Sequence, residues 1–162
     1  MRFGQRNLMR LVAAVAVIAI GIGCKTLNPA TGQKEYDPAK TSAVVQAVSV
    51  PASSAIRRAL NRSPQHAAEI GQYLRAAGNV FREITVTKEF DPIKVAMKLD
   101  AIIVIKNDTI IDMKNLGIAL YSIFYSQRLR AELAPDAWMI HVADTFATAI
   151  DRGLKDAGMV GL

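Results

Sequence analysis

The chain has 162 residues, 51% of them hydrophobic, with 20 Lys and Arg against 14 Asp and Glu for a formal net charge of +6. That length supports one domain with a real core and is too short for two comfortable ones. One cysteine excludes an internal disulfide, and two histidines far apart in sequence leave little material for a metal centre.

The first 24 residues, MRFGQRNLMRLVAAVAVIAIGIGC, differ from everything after them. Arg2, Arg6 and Arg10 make a basic start with no acid, and the 13 residues from Leu11 to Gly23 carry no charged or strongly polar side chain. A spanning helix needs about 20 apolar residues, so this run suits the core of a processed signal better than a permanent anchor. Gly21, Ile22 and Gly23 bring small or apolar residues to a scissile bond just before Cys24. The segment resembles the lipobox of bacterial lipoproteins, in which a small residue precedes a cysteine that receives diacylglycerol. Gly23 and Cys24 match that pattern; Gly21 stands where a bulky aliphatic is usual.

The competing reading is an uncleaved membrane helix extended back through Leu8 and Met9, with Cys24 incidental. Acylation accounts for more, because a free exposed thiol is a liability in an oxidising compartment. Two or three acyl chains, contributing roughly 0.8 kcal/mol per buried CH₂, hold a protein stably on a bilayer. The resemblance implies a lipid-anchored protein of the cell envelope that faces the periplasm. Lys25 after the cysteine, rather than Asp, implies the outer membrane.

Three segments follow from this: a signal over 1–23, the lipidated cysteine with a polar linker over 24–36, and a helical domain over 37–162. The signal holds three of the 20 cationic residues, leaving 17 against 14 acids, a net of +3. Spread along the chain, that charge gives no case for nucleic acid. The linker KTLNPATGQKEY has Pro29 and Gly32 as breakers.

Asp37-Pro38, Ser63-Pro64 and Asp91-Pro92 then repeat one kind of punctuation. Each places a capping oxygen before a proline whose missing amide costs nothing in a first turn, and so predicts a helix start. The first helix, from Pro38 to about Asn61, turns Val44, Val45, Val48, Ile56, Ala59 and Leu60 inward, and Pro51 predicts a kink or break. A second, from Pro64 to about Glu83, buries Ala67, Ile70, Tyr73 or Leu74, Ala77, Phe81 and Ile84 at three- and four-residue steps. ITVTKEF, from Ile84 to Phe90, reads as a loop because no second strand is evident to pair with it.

A third helix, Pro92 to about Val104, carries Val95, Met97, Leu99, Ile102 and Ile103. After a turn at Lys106–Asp108, with Asp108 as cap, a fourth runs from about Thr109 to Leu133 with Ile110, Met113, Leu116, Leu120, Ile123, Phe124 and Leu129 inward. Pro135 and Asp136 start the last helix, lined by Trp138, Val142, Phe146, Ala149, Ile150 and Leu154. Gly153, Gly158 and Gly161 are expected to loosen its end. The fold class expected is all-α, a small bundle of four or five amphipathic helices.

Taken together, the lipobox, the Pro-marked linker, the proline-interrupted first helix, the Asn61–Pro64 helix start and the closing helix resemble small bacterial or phage- and prophage-encoded lipoproteins of unknown function. The likeness is one of pattern and length. It implies an all-helical domain and transfers no activity.

Candidate chemistry competes everywhere with packing. No CxxC or HExxH spacing is present, His66 reads as a surface residue and His141 as lying near the apolar side of its helix. No serine sits in a GxSxG elbow, and no glycine-rich phosphate loop occurs. Asp100, Asp108 and Asp112 straddle a turn, where capping and solvation explain them. No catalytic residue, metal ligand or cofactor is therefore assigned. Arg57, Arg58 and Arg62 form the densest basic patch and could touch anionic headgroups, against the plainer reading of a solvated face. Tyr121, Tyr125 and Arg128 could form a partner-facing ridge near Phe124 and Arg130, since aromatics and arginines are enriched at hot spots.

The function expected is non-catalytic binding or structural support. The partners would be the membrane through Cys24, and an envelope protein, the cell wall or a second copy. A phage superinfection-exclusion lipoprotein is the sharper alternative, a spanin-like lysis role a further one, and a small envelope hydrolase the alternative of another class.

Overall fold

The computed structural model describes residues 25–27, 29–32, 34–36, 38–104, 107–128 and 135–159. The signal segment, Gly21, Ile22, Gly23 and Cys24 lie outside the described residues, as do Asp37, Leu129, Arg130, Leu133 and Gly161. Described residues 38–159 form five α-helices: α1 (Pro38–Arg62), α2 (Ala67–Thr87), α3 (Pro92–Ala101), α4 (Asp108–Arg128) and α5 (Pro135–Asp156). The expected all-α bundle is what the chain forms. Ahead of it the linker is more ordered than its composition suggests. Strands β1 (Lys25–Leu27) and β2 (Lys34–Tyr36) pair antiparallel with Lys25 opposite Tyr36. Gly32 adopts φ +67° in the connection, a conformation that glycine reaches without a Cβ penalty.

Helix α5 is the centre of the bundle, packed on α1 and α2 and, through its first half, on α4. Its contacts with α2 fix their direction: Gly71 lies against Met159 and Leu154, Gly78 against Ile150, and Phe81 stacks on Phe146 with ring centroids 4.8 Å apart. The two helices are antiparallel. A tight turn at Ser63–His66, in which the His66 amide donates to Ser63 O at 2.9 Å, reverses the chain between α1 and α2. Consequently α1 runs beside α5 in the same direction, and Ile56 meets Gly153.

Small residues make that pairing close. Thr145, Ala149 and Gly153 recur every fourth residue on α5, and Ser49 and Ser53 do so on α1; all but the glycine are recorded below 7% exposure. The hydroxyls of Ser53 and Thr145 donate to Val50 O at 3.0 Å and His141 O at 2.6 Å, so burying them strands no donor. Helix α1 continues unbroken through Pro51. The expected break is overridden because the helix is held along its length by α5, and one missing hydrogen bond does not outweigh that packing.

Helix α2 begins three residues later than the Ser63-Pro64 signal predicts. Ser63 makes no capping bond, Pro64–His66 form a single 3₁₀ turn, and His66 precedes α2 with Nδ1 3.1 Å from Glu69 Oε2. It also ends four residues later than expected. ITVT continues the helix, burying Ile84, and Lys88 terminates it in the left-handed region at φ 57° with its amide donating to Ile84 O. Asp91 caps α3 as predicted, Oδ1 accepting from the amides of Ile93 (2.8 Å) and Lys94 (3.3 Å). Asn107, rather than Asp108, caps α4 by accepting from the Thr109 amide at 2.9 Å.

Of the expected inward residues, Ile56, Leu60, Ile70, both Tyr73 and Leu74, Ala77, Phe81, Ile84, Val95, Leu99, Ile110, Leu120 and Phe124 are buried, as are the α5 set except half-buried Phe146. The side chains of Val44, Val45 and Val48 lie outside the described residues. Met97 does not point inward; it is 66% exposed, because two residues from both Val95 and Leu99 it falls on the opposite side of α3.

Through Met159, the end of α5 is tied down rather than loosened. Met159 N–H reaches Leu154 O at 2.9 Å, Gly158 N–H reaches Lys155 O at 3.0 Å, and Gly158 takes φ +74°: a Schellman end with Met159 folded back over Leu154's turn. Arg75 Nη2 then donates to Met159 O at 2.7 Å, fastening the end of α5 to α2.

Glycines 153 and 71 should therefore respond differently to a methyl group. A Cβ on Gly153 would stand 2.7 Å from Cβ and Cγ2 of Ile56, atoms fixed to the α1 backbone, whereas on Gly71 it would meet the mobile tip of Met159 at 2.5 Å. Gly153→Ala is expected to destabilise by about 1–3 kcal/mol. Gly71→Ala is expected to change stability by less than about 1 kcal/mol, helix propensity offsetting a rotamer shift. Urea denaturation of the two variants measures the contrast.

Candidate functional site

The arginines nominated from sequence come together at one end of the bundle. Arg57, Arg58 and Arg62 are all exposed on the last two turns of α1, none with an ion pair among the described residues. Because Ile56 touches Gly153, Arg152 and Lys155, both exposed, stand at the same level on α5. Of the acids there, Asp151 is engaged by Arg82 of α2, and Asp156 is exposed beside Lys155, so the cations outnumber the acids. This end is basic. The signal that enlarges it is an absence of acids: from Pro38 to Ala68 the chain has Lys40, Arg57, Arg58 and Arg62 and no Asp or Glu.

Tyr121, expected on an exposed ridge, is not a surface residue. Tyr121 is fully buried, its hydroxyl donating to Phe90 O at 3.1 Å, and its ring lies 5.9 Å from Phe81 and 6.0 Å from Phe146. The expectation that it faces a partner is corrected: it pins the α2–α3 connection to α4. Tyr125 is half-buried, and the side chain of Arg128 lies outside the described residues. Apolar surface is exposed instead on Val86 (82%), Ile93 (73%), Met97 (66%) and Val104 (93%), on the side of the bundle that carries α3. The clue in the sequence was that α3 has apolar residues on two faces, Val95 and Leu99 on one and Ile93 and Met97 on the other.

The acids near the α3–α4 turn do not form a catalytic pair. Asp100 engages Lys114 across the two helices, while Asp108 occupies the first turn of α4. A second charged group joins α2 to α3: Lys98 reaches Glu83 and lies 3.3 Å from Glu89, which also lies 3.2 Å from Lys94. Hydrogen bonds from Lys94 and then Lys98 hold the Glu89 carboxyl below its ordinary value, and the bond to Glu83 raises Lys98. These pairs lie at the surface, where each contributes little to stability. Among the described residues no three His, Cys, Asp or Glu side chains converge as metal ligands, and no helix is long and apolar enough to cross a membrane. His141 is exposed on α5, not on its apolar side.

Comparison with protein-family models, with curated proteins and with solved structures finds no match.

Tyr73 offers a titration that reports on the core. Burial, and then the charge of Asp100, push its phenol well above the ordinary value near 10. The unfolded chain ionises first, so Tyr73's contribution is complete below about pH 10 and is lost as the pH climbs from there toward the folded value. Tyr73→Phe should flatten the fall in unfolding free energy above about pH 10 and leave it unchanged at pH 7, as read by denaturant titrations at both pH values.

Proposed function

We propose that this chain is a lipid-anchored lipoprotein of the bacterial cell envelope, facing the periplasm, whose helical domain works by binding rather than by catalysis. The observation that carries the reading is the segment Met1–Cys24: a basic start, an apolar run too short to span comfortably, and one cysteine behind a small residue. In the chemistry this implies, the Cys24 thiolate displaces the phosphate headgroup of a diacylglycerol phospholipid to form a thioether, the headgroup phosphate leaving, and water then hydrolyses the Gly23–Cys24 peptide bond. Gly21 and Ile22 occupy the remaining recognition positions, and Lys25 favours the outer membrane. Support from the fold is indirect. The first described residue, Lys25, pairs with Tyr36 immediately before α1, so a tether at Cys24 would enter the domain at the start of that helix.

Binding surfaces suited to such a role are the basic end around Arg57, Arg58 and Arg62 and the exposed apolar residues of α3. An envelope protein, the cell wall and a second copy of the chain are the partner classes that these surfaces can serve.

Metabolic labelling with a palmitate analogue tests the anchor. Wild-type protein should label and fractionate with membranes, and Cys24→Ala should lose the label. Equal labelling of the two proteins would overturn the proposal.

A further inference from the structure

A tether at the start of α1 and a basic cluster at its other end constrain how the bundle can sit on a bilayer. Arg57 lies 19 residues into the helix and Arg62 24, about 28 and 36 Å from Pro38 at the α-helical rise. An upright α1 would hold those guanidinium groups several Debye lengths from the surface, where their attraction to it is screened. Only with α1 lying along the membrane do anchor and arginines meet the same plane.

The outward side of α1 suits that position. Val50, Ser54, Arg57 or Arg58, and Asn61 follow one another at three- and four-residue steps, away from the buried line of Ser49, Ser53, Ile56 and Leu60. Val50 is 47% exposed and Ser54 half-exposed, so small side chains let the helix approach closely between the tether and the arginines. No acid occurs anywhere on α1 to repel a negative surface. The three cations at its end are all arginine, whose planar fork binds phosphate through two parallel hydrogen bonds. Helix α1 also packs chiefly on α5, whereas the apolar residues of α3 lie on the side built by α2 and α4.

We propose that the outer face of α1 docks on anionic phospholipid headgroups, laying the helix flat and turning the apolar side of α3 away from the membrane. This rests on the lipoprotein reading of Cys24 and adds an orientation to it. The bilayer acts through Arg57, Arg58 and Arg62 as an electrostatic second contact beside the acyl chains, the combination that makes membrane attachment durable.

The test uses the acylated chain reconstituted in vesicles containing phosphatidylglycerol or phosphatidylcholine alone. Acylation blocks the only native thiol, so Val50→Cys and Met97→Cys each give one site for an environment-sensitive fluorophore. In anionic vesicles the label at 50 should shift to the blue and be quenched by a headgroup-level spin-labelled lipid, while the label at 97 is not. Adding Arg57→Gln, Arg58→Gln and Arg62→Gln to Val50→Cys should cut that quenching at least about tenfold with the protein still vesicle-bound. The proposal falls if position 50 stays unquenched, if position 97 is quenched in its place, or if quenching is equal in phosphatidylcholine vesicles or indifferent to the arginines. A thiol at Cys24 that reacts in the purified protein would overturn the anchor instead. The same labels in a Cys24→Ser background, with anionic vesicles added, would then decide the α1 face by the same readouts.

Discussion

Everything else in this bundle depends on how closely α1 and α5 approach at Gly153. Side chains normally hold two helices 8–10 Å apart; here the absent Cβ of Gly153 lets Ile56 sit on the α5 backbone. The small residues on both helices extend that contact, since Ser49, Ser53, Thr145 and Ala149 are all buried. A helix with a proline at position 51 is poorly suited to standing alone. Packing keeps it one element, so its start at Pro38 and its arginine-bearing end belong to a single helix.

The opposite side of α5 is organised by aromatic rings and two polar anchors. Phe146 of α5 stacks on Phe81 of α2 and meets Tyr121 and Phe124 of α4 edge-on. Tyr121 donates to Phe90 O, and the Trp138 indole N–H donates to Phe124 O at 3.1 Å. Both rings could be buried because each polar atom found a carbonyl, the usual condition for placing Tyr or Trp in a core. The Met159 turn closes the far end in the same way, with its own carbonyl taken by Arg75.

Helix number, order and most inward residues were legible because three- and four-residue apolar spacing is a property of the sequence itself. Its failures have local causes. Ser63-Pro64 looks like Asp91-Pro92, but the chain must reverse at the former, and it uses a 3₁₀ turn to do so. ITVTKEF has β-branched alternation and was read as a loop for want of a pairing strand, yet Ile84 keeps step with Phe81 and packing carries the helix onward. Gly153 was read as a loosening residue because a sequence does not reveal which glycine faces a neighbouring backbone. Tyr121 was read as surface because aromatics beside arginines resemble a binding hot spot, and a sequence does not reveal the buried Phe90 carbonyl that its hydroxyl meets. Within the candidate site, the arginines were visible as a cluster, but their company on α5 and the continuity of α1 through Pro51 were not.

Charge and apolar surface are separated across the fold, and that separation narrows what the domain can do. Helix α1 carries cations without acids, while α3 carries lysines already engaged by Glu83 and Glu89 alongside exposed Ile93 and Met97. An unpaired arginine face gains from phosphate-rich surroundings and loses that gain as salt rises. An apolar face gains only from exclusion of water, which a second protein supplies as readily as lipid. If one face is committed to the bilayer, α1 is the better match, because its charges have no partners within the described residues whereas those of α3 do. The apolar face is then free to meet something else. Neither surface needs a reactive group to work, so the proposed binding role asks of the bundle only the arrangement of its charge and apolar surface.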